Sequence, residues 1–137
     1  MIKGLSHVCF TVADLERSIA FYTETVGLRH AFDFTNEEGR RTGAYLHLGA
    51  RTFLELFQGS PKKTEGGSFR HICIEVESMD RAVSEMGSRG AEVSEPKVGS
   101  DGNPQAWLSD PDGNRIELHE LRPEGRQEEA LARLGKR

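Results

Sequence analysis

The segment HVCFTV at positions 7–12 returns in altered form as HICIEV at positions 71–76, an offset of 64 residues. Both copies begin with a histidine, place a cysteine two residues later, and carry apolar residues at the alternate positions. Side chains of a strand alternate between its two faces, so each copy predicts a strand with one apolar face and one face that bears the histidine. A repeat of this length indicates two similar modules in one chain.

The elements that follow each copy come in the same order. Asp14 and Asp80 are predicted N-caps of helices with an apolar stripe, and Gly27 and Gly90 end these helices before a further strand begins. A hairpin then closes each half. Its strands are GAYLHL and RTFLELF (43–48 and 51–57) in the first half, and QAWLS and RIELHE (105–109 and 115–120) in the second. Each half therefore predicts a βαβββ module, and the chain an α+β fold.

The chain of 137 residues is too short for two independent cores of ordinary size, so we predict one domain over residues 1–122. Module 1 covers about residues 4–58 and module 2 about 68–122, joined by a linker at 58–67 that is rich in Gly, Ser, Pro and Lys. Residues 123–137 form a C-terminal tail outside the repeat. A short helix and a frayed end fit this tail equally well.

Composition excludes several classes of protein. No segment approaches the roughly 18 consecutive apolar residues of a membrane span, and the N-terminus lacks the pattern of a secretory signal. A net charge of −4 without a basic cluster argues against nucleic-acid binding. Two cysteines are too few for a disulfide scaffold and suit a reducing compartment. We expect a cytoplasmic protein with a small-molecule substrate.

Four side chains at equivalent repeat positions are candidate metal ligands: His7 and His71 on the first strand of each module, and Glu55 and Glu117 on the last. A carboxylate flanked by apolar strand residues is costly to bury unless it is paired or bound to a metal. A lone strand histidine or glutamate is more often a surface residue, and from the residues alone the two matched pairs fit one divalent metal between the modules and ordinary strand positions equally well. Nitrogen and oxygen ligands together suit Zn, Ni, Co, Mn or Fe.

Other polar and aromatic residues have weaker assignments. His30 and His47 lack repeat partners and are predicted as ordinary surface or rim residues. His119 lies one pleat beyond Glu117, which predicts a rim position and a weak ligand candidate. The two cysteines are interpreted as small apolar strand residues. Pocket lining or core packing is predicted for Tyr45, Phe53, Phe57 and Trp107.

The segments HVCFTVADLERS (7–18), FY (21–22), VGL (26–28) and DPDGNRIEL (110–118) resemble the vicinal oxygen chelate superfamily, and most closely its glyoxalase I-like members. The similarity covers roughly residues 4–122 in the right order and spacing. It implies that paired βαβββ modules form a cupped, barrel-like mixed sheet with the helices outside and a metal inside. The ligand positions of the superfamily match His7, Glu55, His71 and Glu117.

The resemblance also implies a reaction. A glyoxalase I-like lyase or isomerase uses one divalent metal, with Ni or Zn favoured over Co, Mn or Fe, and acts on a substrate with neighbouring oxygens through an enediolate-type intermediate. Glu117 first, or else Glu55, would move the proton as general base and acid. Family glyoxalases hold glutathione with basic and amide residues at places that correspond to Thr11 and Gly59 here. This sequence offers neither an Arg nor an Asn at these two places, which argues against specificity for glutathione, and a glutathione adduct or an adduct of another thiol stays one candidate substrate class.

Two other reaction classes compete with this interpretation. An Fe(II)-dependent extradiol-type dioxygenase would use His7, His71 and Glu117 as its triad, and Glu55 weighs against it because a fourth ligand occupies a position that oxygen or substrate needs. An antibiotic-resistance or small-molecule-binding protein is the other alternative, and the intact ligand set argues against pure binding. Epimerases of the methylmalonyl-CoA type carry a similar weight. The ligands can come from one chain or be exchanged between two, and we expect a homodimer.

Overall fold

A computed structural model of the chain describes residues 4–61 and 69–135. It divides into two compact units. Unit 1 consists of the described residues before Phe69 together with Asp110–Asp112, and unit 2 consists of the remaining described residues. The predicted linker, residues 58–67, lies mostly outside the described ranges.

Unit 1 has the order strand, helix, strand, strand, strand. Its elements are β1 (His7–Val12), α1 (Leu15–Ala20), a π-helical turn (Phe21–Val26), β2 (Arg29–Thr35), β3 (Arg41–Gly49) and β4 (Thr52–Gln58). The four strands form one sheet in the order β1-β4-β3-β2, in which β1 runs parallel to β4 and the other neighbours are antiparallel. The βαβββ order predicted for this half is confirmed.

The ends of the first helical segment agree with the sequence pattern. The Asp14 side chain accepts a hydrogen bond of 3.0 Å from the Arg17 backbone N–H, which satisfies one of the free donors at the start of α1. Gly27 follows the π-helical turn with φ of 94° and donates to the Tyr22 carbonyl at 3.1 Å. This left-handed conformation is accessible to glycine at little cost, so the helix ends where Gly27 predicts.

One face of the unit 1 sheet is buried under the helix. Phe10 and Val12 on β1, Leu46 on β3, and Leu54 and Leu56 on β4 are all buried, and α1 packs against β3 and β4. Full burial of a side chain of this size stabilises the fold by about 1.5–3 kcal/mol. The predicted apolar face is thus confirmed, and the histidine-bearing face of β1 is left on the other side of the sheet.

Unit 2 repeats the plan. Its elements are β5 (Ile72–Glu75), α2 (Met79–Ser88), β6 (Lys97–Val98), β7 (Pro104–Ser109), β8 (Arg115–His119) and α3 (Arg126–Leu134). The strands form a second sheet in the order β5-β8-β7-β6, again with its first and last strands parallel. The α+β class is confirmed, and the strands of the described residues form two open four-stranded sheets with no closed barrel. No helix in the described ranges has the length and apolarity needed to cross a membrane.

The N-cap predicted for the second helix is wrong. Ser78, not Asp80, is the N-cap of α2, and its hydroxyl accepts a hydrogen bond of 3.3 Å from the Arg81 N–H. Asp80 lies in the first turn, where its negative charge interacts favourably with the helix dipole. Serine and aspartate are both good caps, so the buried position of Met79 between them determines where the helix begins.

The strand predicted directly after Gly90 is wrong in position, since β6 is limited to Lys97–Val98. The preceding segment nevertheless runs beside β7. The Ser94 N–H donates to the Trp107 carbonyl at 2.9 Å, and the Trp107 N–H donates to the Ser94 hydroxyl at 3.0 Å. A side chain replaces one backbone partner here, and Pro96 has no N–H to donate, so a regular ladder cannot form.

The turn in the DPDGN segment does more than reverse the chain. Its glycine, Gly113, has φ of 84°, as a tight turn requires. Asp110 accepts a hydrogen bond of 2.8 Å from the Tyr22 hydroxyl, and Asp112 accepts one of 3.0 Å from the Ala13 N–H. Asp112 therefore holds the start of α1, and Asp110 holds the π-helical turn that follows α1.

Candidate metal centre

The open face of unit 1 carries a histidine–glutamate pair. His7 Nε2 lies 3.2 Å from Glu55 Oε2, and the Glu55 side chain is 13% exposed. The strand register places Cys9 of β1 and Tyr45 of β3 on either side of Glu55. The Tyr45 hydroxyl also lies 3.4 Å from His7 Nδ1. Glu55 is thus surrounded by groups that can donate a proton or a hydrogen bond.

Two of these neighbours keep their protons beside Glu55. Burial, followed by a hydrogen bond to Glu55 and its charge, raises the pKa of the Cys9 thiol to about 11. Burial and the Glu55 carboxylate also raise the pKa of Tyr45. Both groups therefore stay protonated at neutral pH and donate to Glu55.

Unit 2 carries the equivalent pair at the equivalent positions. His71 Nε2 lies 2.9 Å from Glu117 Oε2, and the Glu117 side chain is 11% exposed. Its register neighbours are Cys73 of β5 and Trp107 of β7. The His71 ring meets Trp107 edge to face at 4.9 Å, and the Arg115 guanidinium lies 4.4 Å from the centre of the same indole. The indole thereby fixes the orientation of His71.

The four predicted ligands therefore form two pairs, one in each unit. Convergence of both pairs on one metal stays a prediction. The chemistry of each pair fits a borderline divalent cation, because each combines an imidazole nitrogen with a carboxylate oxygen. The burial of both glutamates fits as well, since a mostly buried carboxylate is stabilised by a positive partner.

A third group of donors overlaps with the unit 2 pair, because it includes Glu117. One ligand atom each from Cys73, Glu117 and His119 lies within 4.8 Å of the other two. The rim position predicted for His119 is wrong, because its side chain is buried and its Nε2 lies 2.9 Å from Asp101 Oδ2. Cys73, interpreted as an apolar strand residue, is exposed. Partial loss of hydration around its thiol, followed by the charge of Glu117, raises the pKa of the thiol to about 12.

Asp101 belongs to a polar network that reaches α3. The Gln127 amide donates to the Asp101 carboxylate at 2.7 Å, and the Asn103 N–H donates at 3.2 Å. Burial alone would raise the pKa of Asp101, but these hydrogen bonds and His119 outweigh it and lower the pKa to about 2. Sequence reasoning missed Asp101, because its only local signal is the turn composition around it.

The remaining predicted site residues have local roles. Tyr45 contacts Phe53, with ring centres 5.7 Å apart on the face that carries Glu55. His30 Nε2 lies 2.6 Å from Asp33 Oδ1, and His47 Nε2 lies 3.1 Å from the Ala50 carbonyl oxygen. These short-range contacts agree with ordinary strand and turn positions for both histidines.

Comparisons with known proteins identify the family. The family model of the Glyoxalase/Bleomycin resistance protein/Dioxygenase superfamily matches residues 4–118, and the chain belongs to this superfamily. The resemblance stated from the sequence is thereby confirmed.

Similar proteins carry several functional names. A lactoylglutathione lyase of Salmonella typhimurium is 31% identical over 129 residues, which cover 89% of this chain and 96% of the relative. An ethylmalonyl-CoA/methylmalonyl-CoA epimerase of Cereibacter sphaeroides is 33% identical over 135 residues, which cover 88% of this chain and all of the relative. Among solved structures, an antibiotic binding protein from Streptomyces sp. CB03234 is 31% identical with a TM-score of 0.73, over 88% of this chain and 98% of that protein.

Proposed function

We propose that this protein is a metal-dependent lyase or isomerase of the glyoxalase I-like kind, which moves a proton between neighbouring carbons of a small substrate with adjacent oxygens. The observation that carries the proposal is the repeated pair, His7 with Glu55 and His71 with Glu117, at contact distances of 3.2 and 2.9 Å. A surface ion pair would have no reason to recur at the same register position of two different sheets.

The four side chains of the two pairs would hold one divalent cation, from one chain or exchanged between two chains. When bound, such a cation supplies a Lewis acid that stabilises negative charge on the neighbouring oxygens of the substrate. We assign the metal to histidine and glutamate because these two residue types are in contact at equivalent positions of both units.

The two glutamates differ in their surroundings, which supports different roles. Glu55 accepts hydrogen bonds from Cys9 and Tyr45, which hold it in place. Glu117 has Trp107 at the position that corresponds to Tyr45, so the hydroxyl that Tyr45 offers to Glu55 has no counterpart at this register position. Glu117 is accordingly the better general base: it would take the proton from the substrate carbon and return it to the neighbouring carbon.

An epimerase is the second candidate, because the relative that is matched over its full length is named an ethylmalonyl-CoA/methylmalonyl-CoA epimerase. Inverting a carbon next to a carbonyl also requires removal and return of one proton, so the same pair of glutamates would serve. The two candidates differ in the substrate and in whether a second basic group must act from the opposite side of the carbon.

The test is a comparison of substrates with metal-reconstituted protein. Stripped protein is loaded with Ni, Zn or Co and assayed with methylglyoxal plus glutathione, methylglyoxal plus other small thiols, and methylmalonyl-CoA. We expect turnover with one substrate class and only with metal. Glu117→Gln should lower kcat by about 10²–10⁴-fold, the usual contribution of a general base. Glu75→Gln, an exposed glutamate on β5, is the matched control and should leave kcat unchanged.

Glu55→Gln separates metal binding from proton transfer. We expect it to weaken metal retention in a chelator competition while Glu75→Gln does not. Absence of turnover with every metal and substrate class would contradict the proposed function. A Glu55→Gln variant that retains metal as well as the parent would contradict the four-ligand set. Sedimentation of the metal-loaded protein tests the homodimer that we propose alongside it.

A further inference from the structure

The open face of unit 1 is lined by aromatic rings around the His7–Glu55 pair. We call these rings the aromatic layer: Phe32, Phe34, Tyr45, Phe53 and Phe57. Strand pairing places Phe32 opposite Tyr45, and Phe34 opposite Gly43. Gly43 in turn pairs with Phe57, and Tyr45 with Glu55, so these positions share one face of the sheet.

Tyr45 lies at the centre of the aromatic layer. Its ring contacts Phe34 at 5.7 Å and Phe53 at 5.7 Å, and it meets the imidazole of His7 at 5.5 Å. On its outer side Phe32 stacks on it, with ring centres 4.6 Å apart and planes 15° from parallel. The layer thus runs without interruption from the candidate metal ligand His7 to the edge strand β2.

A glycine in β3, Gly43, makes room for one ring of the aromatic layer. A Cβ atom at Gly43 would lie 2.6 Å from the ring of Phe57, so the absence of a side chain there makes space for the ring. Phe57 then contacts Phe34 at 5.2 Å. A side chain at position 43 would break the continuous surface.

The outermost ring has a free face. Phe32 is 47% exposed although one side of its ring covers Tyr45. The exposed part of Phe32 continues the aromatic layer beneath it, and a contiguous apolar surface of this kind marks a binding site, which a single exposed ring does not. A flat ring that already stacks on one side can accept a second flat ring on the other.

We propose that the aromatic layer binds a planar aromatic or conjugated group of the substrate, with Phe32 stacked on that group and its adjacent oxygens directed to the His7–Glu55 pair. The chemical part of this proposal rests on the proposed function. Small-molecule sites combine an apolar lining with a few convergent polar groups, which describes this face. A protein interface is depleted of charge at its centre, whereas Glu55 lies in the middle of this surface.

Two positions on this side of unit 1 carry no charge. Thr11 lies on the same face of β1 as His7, and Gly59 lies beside it. A Cβ atom at Gly59 would lie 2.7 Å from Thr11 Cγ2, so a longer side chain at this position would displace Thr11. Recognition on this face therefore relies on rings more than on charge.

The test compares two probes that both carry neighbouring oxygens. Naphthalene-2,3-diol has a planar ring system and cis-cyclohexane-1,2-diol does not. We expect calorimetry on the full chain, with and without zinc, to give tighter binding of the naphthalenediol. Phe32→Ala should weaken the affinity for the naphthalenediol about 5-fold and leave the affinity for the cyclohexanediol unchanged. Phe32→Leu keeps an apolar side chain without a ring and should weaken the affinity for the naphthalenediol to a similar extent.

Phe69→Ala is the matched control, because Phe69 is also exposed, at 56%, and belongs to unit 2. It should leave both affinities unchanged. Equal binding of the two probes, or no binding of either, overturns the proposal. The proposal is also overturned if Phe32→Ala keeps the affinity of the parent for the naphthalenediol. It is overturned as well if the parent sediments as a dimer and Phe32→Ala does not, because Phe32 would then be covered by a second copy of the chain.

Failure of the proposed function gives a different result. Selective naphthalenediol binding that depends on Phe32, in a protein without turnover, would refute the reaction and retain the aromatic site. Turnover of phenylglyoxal and methylglyoxal adducts of the same thiol with equal kcat/KM, unchanged by Phe32→Ala, would retain the reaction and refute the aromatic site.

Discussion

Replacement of Tyr22 by phenylalanine tests how the DPDGN segment supports unit 1. The chain has two tyrosines, and each places its hydroxyl near a functional group. Tyr22 is fully buried and donates to Asp110 at 2.8 Å, whereas the hydroxyl of Tyr45 lies 3.4 Å from His7 Nδ1 in an exposed contact. Tyr22→Phe and Tyr45→Phe therefore remove the same atom from two different environments.

The expected cost of Tyr22→Phe follows from the carboxylate that loses its donor. A hydrogen bond to a charged group contributes about 1.5–3 kcal/mol net to stability. Asp110 retains the Asp112 N–H at 2.9 Å, so we place the loss within that range rather than above it. In a domain of this size the midpoint of thermal unfolding should fall by about 5–10 °C. Tyr45→Phe removes a donor to Glu55 from a less buried ring, so its cost should be smaller than that of Tyr22→Phe.

Alkaline pH gives a second, independent signature. Burial, followed by the Asp110 charge and hydrogen bond, raises the pKa of Tyr22 far above its usual value. The phenol ionises near pH 10 only after unfolding, so the free energy of unfolding is unaffected by this group below pH 10. Above pH 10 it falls by about 1.4 kcal/mol per pH unit. Tyr22→Phe lacks this loss, and the stability gap between variant and parent should shrink as the pH rises.

Urea unfolding monitored by circular dichroism, at pH 7 and at steps above pH 10, measures both effects. The reasoning is refuted if Tyr22→Phe unfolds within 0.5 kcal/mol of the parent at pH 7, or if Tyr45→Phe costs as much. A stability gap that stays constant above pH 10 would refute the assignment of the alkaline effect to Tyr22.

Three further perturbations test the unit 2 network and one helix. Gly125→Ala should lower the free energy of unfolding by about 1–3 kcal/mol in urea, because its Cβ would overlap the buried amide of Asn103. Gly87→Ala, in α2 with open space around its Cβ, should instead raise that free energy by about 0.5–1 kcal/mol. Gln127→Ala should move the pKa of Asp101 upwards from about 2, towards its usual value, as read by carboxyl NMR titration. Asp101 stabilises the native state above its usual pKa near 4 and loses this effect as the pH falls towards 2, so the variant should be less acid-resistant.

The fold could be predicted because its information is local and repeated. Alternating apolar residues identify the strands, and the burial of Val12 and Leu56 agrees with the faces that alternation assigns. The errors lie where two local signals compete. Ser78 and Asp80 are both capable caps, and the extended segment around Ser94 has the composition of a strand without the donors for a ladder.

The candidate site is predictable only in part. Alternation within two strands places His7 and Glu55 on one face, and the repeat shows the same pattern a second time, while the use of these residues as metal ligands stays a prediction. The contact of Asp101 with His119 joins a loop to a strand 18 residues away, and neither residue has a counterpart that signals it in the first module. Only the folded chain brings such residues together, so long-range polar contacts stay beyond sequence patterns.

The two units share their metal-type donors and differ in what surrounds them. A spherical cation makes the same demand on each half of a repeat, and the repeated histidine and glutamate meet that demand with the same donor types. A substrate has two unlike ends and makes different demands on each half. In unit 1 the glutamate is held by Tyr45 beside the aromatic layer, and in unit 2 it faces Trp107 and neighbours the Asp101–His119 network. The shared residues are thus the ones to test for metal binding, and the differing ones are those to test for substrate choice and proton transfer.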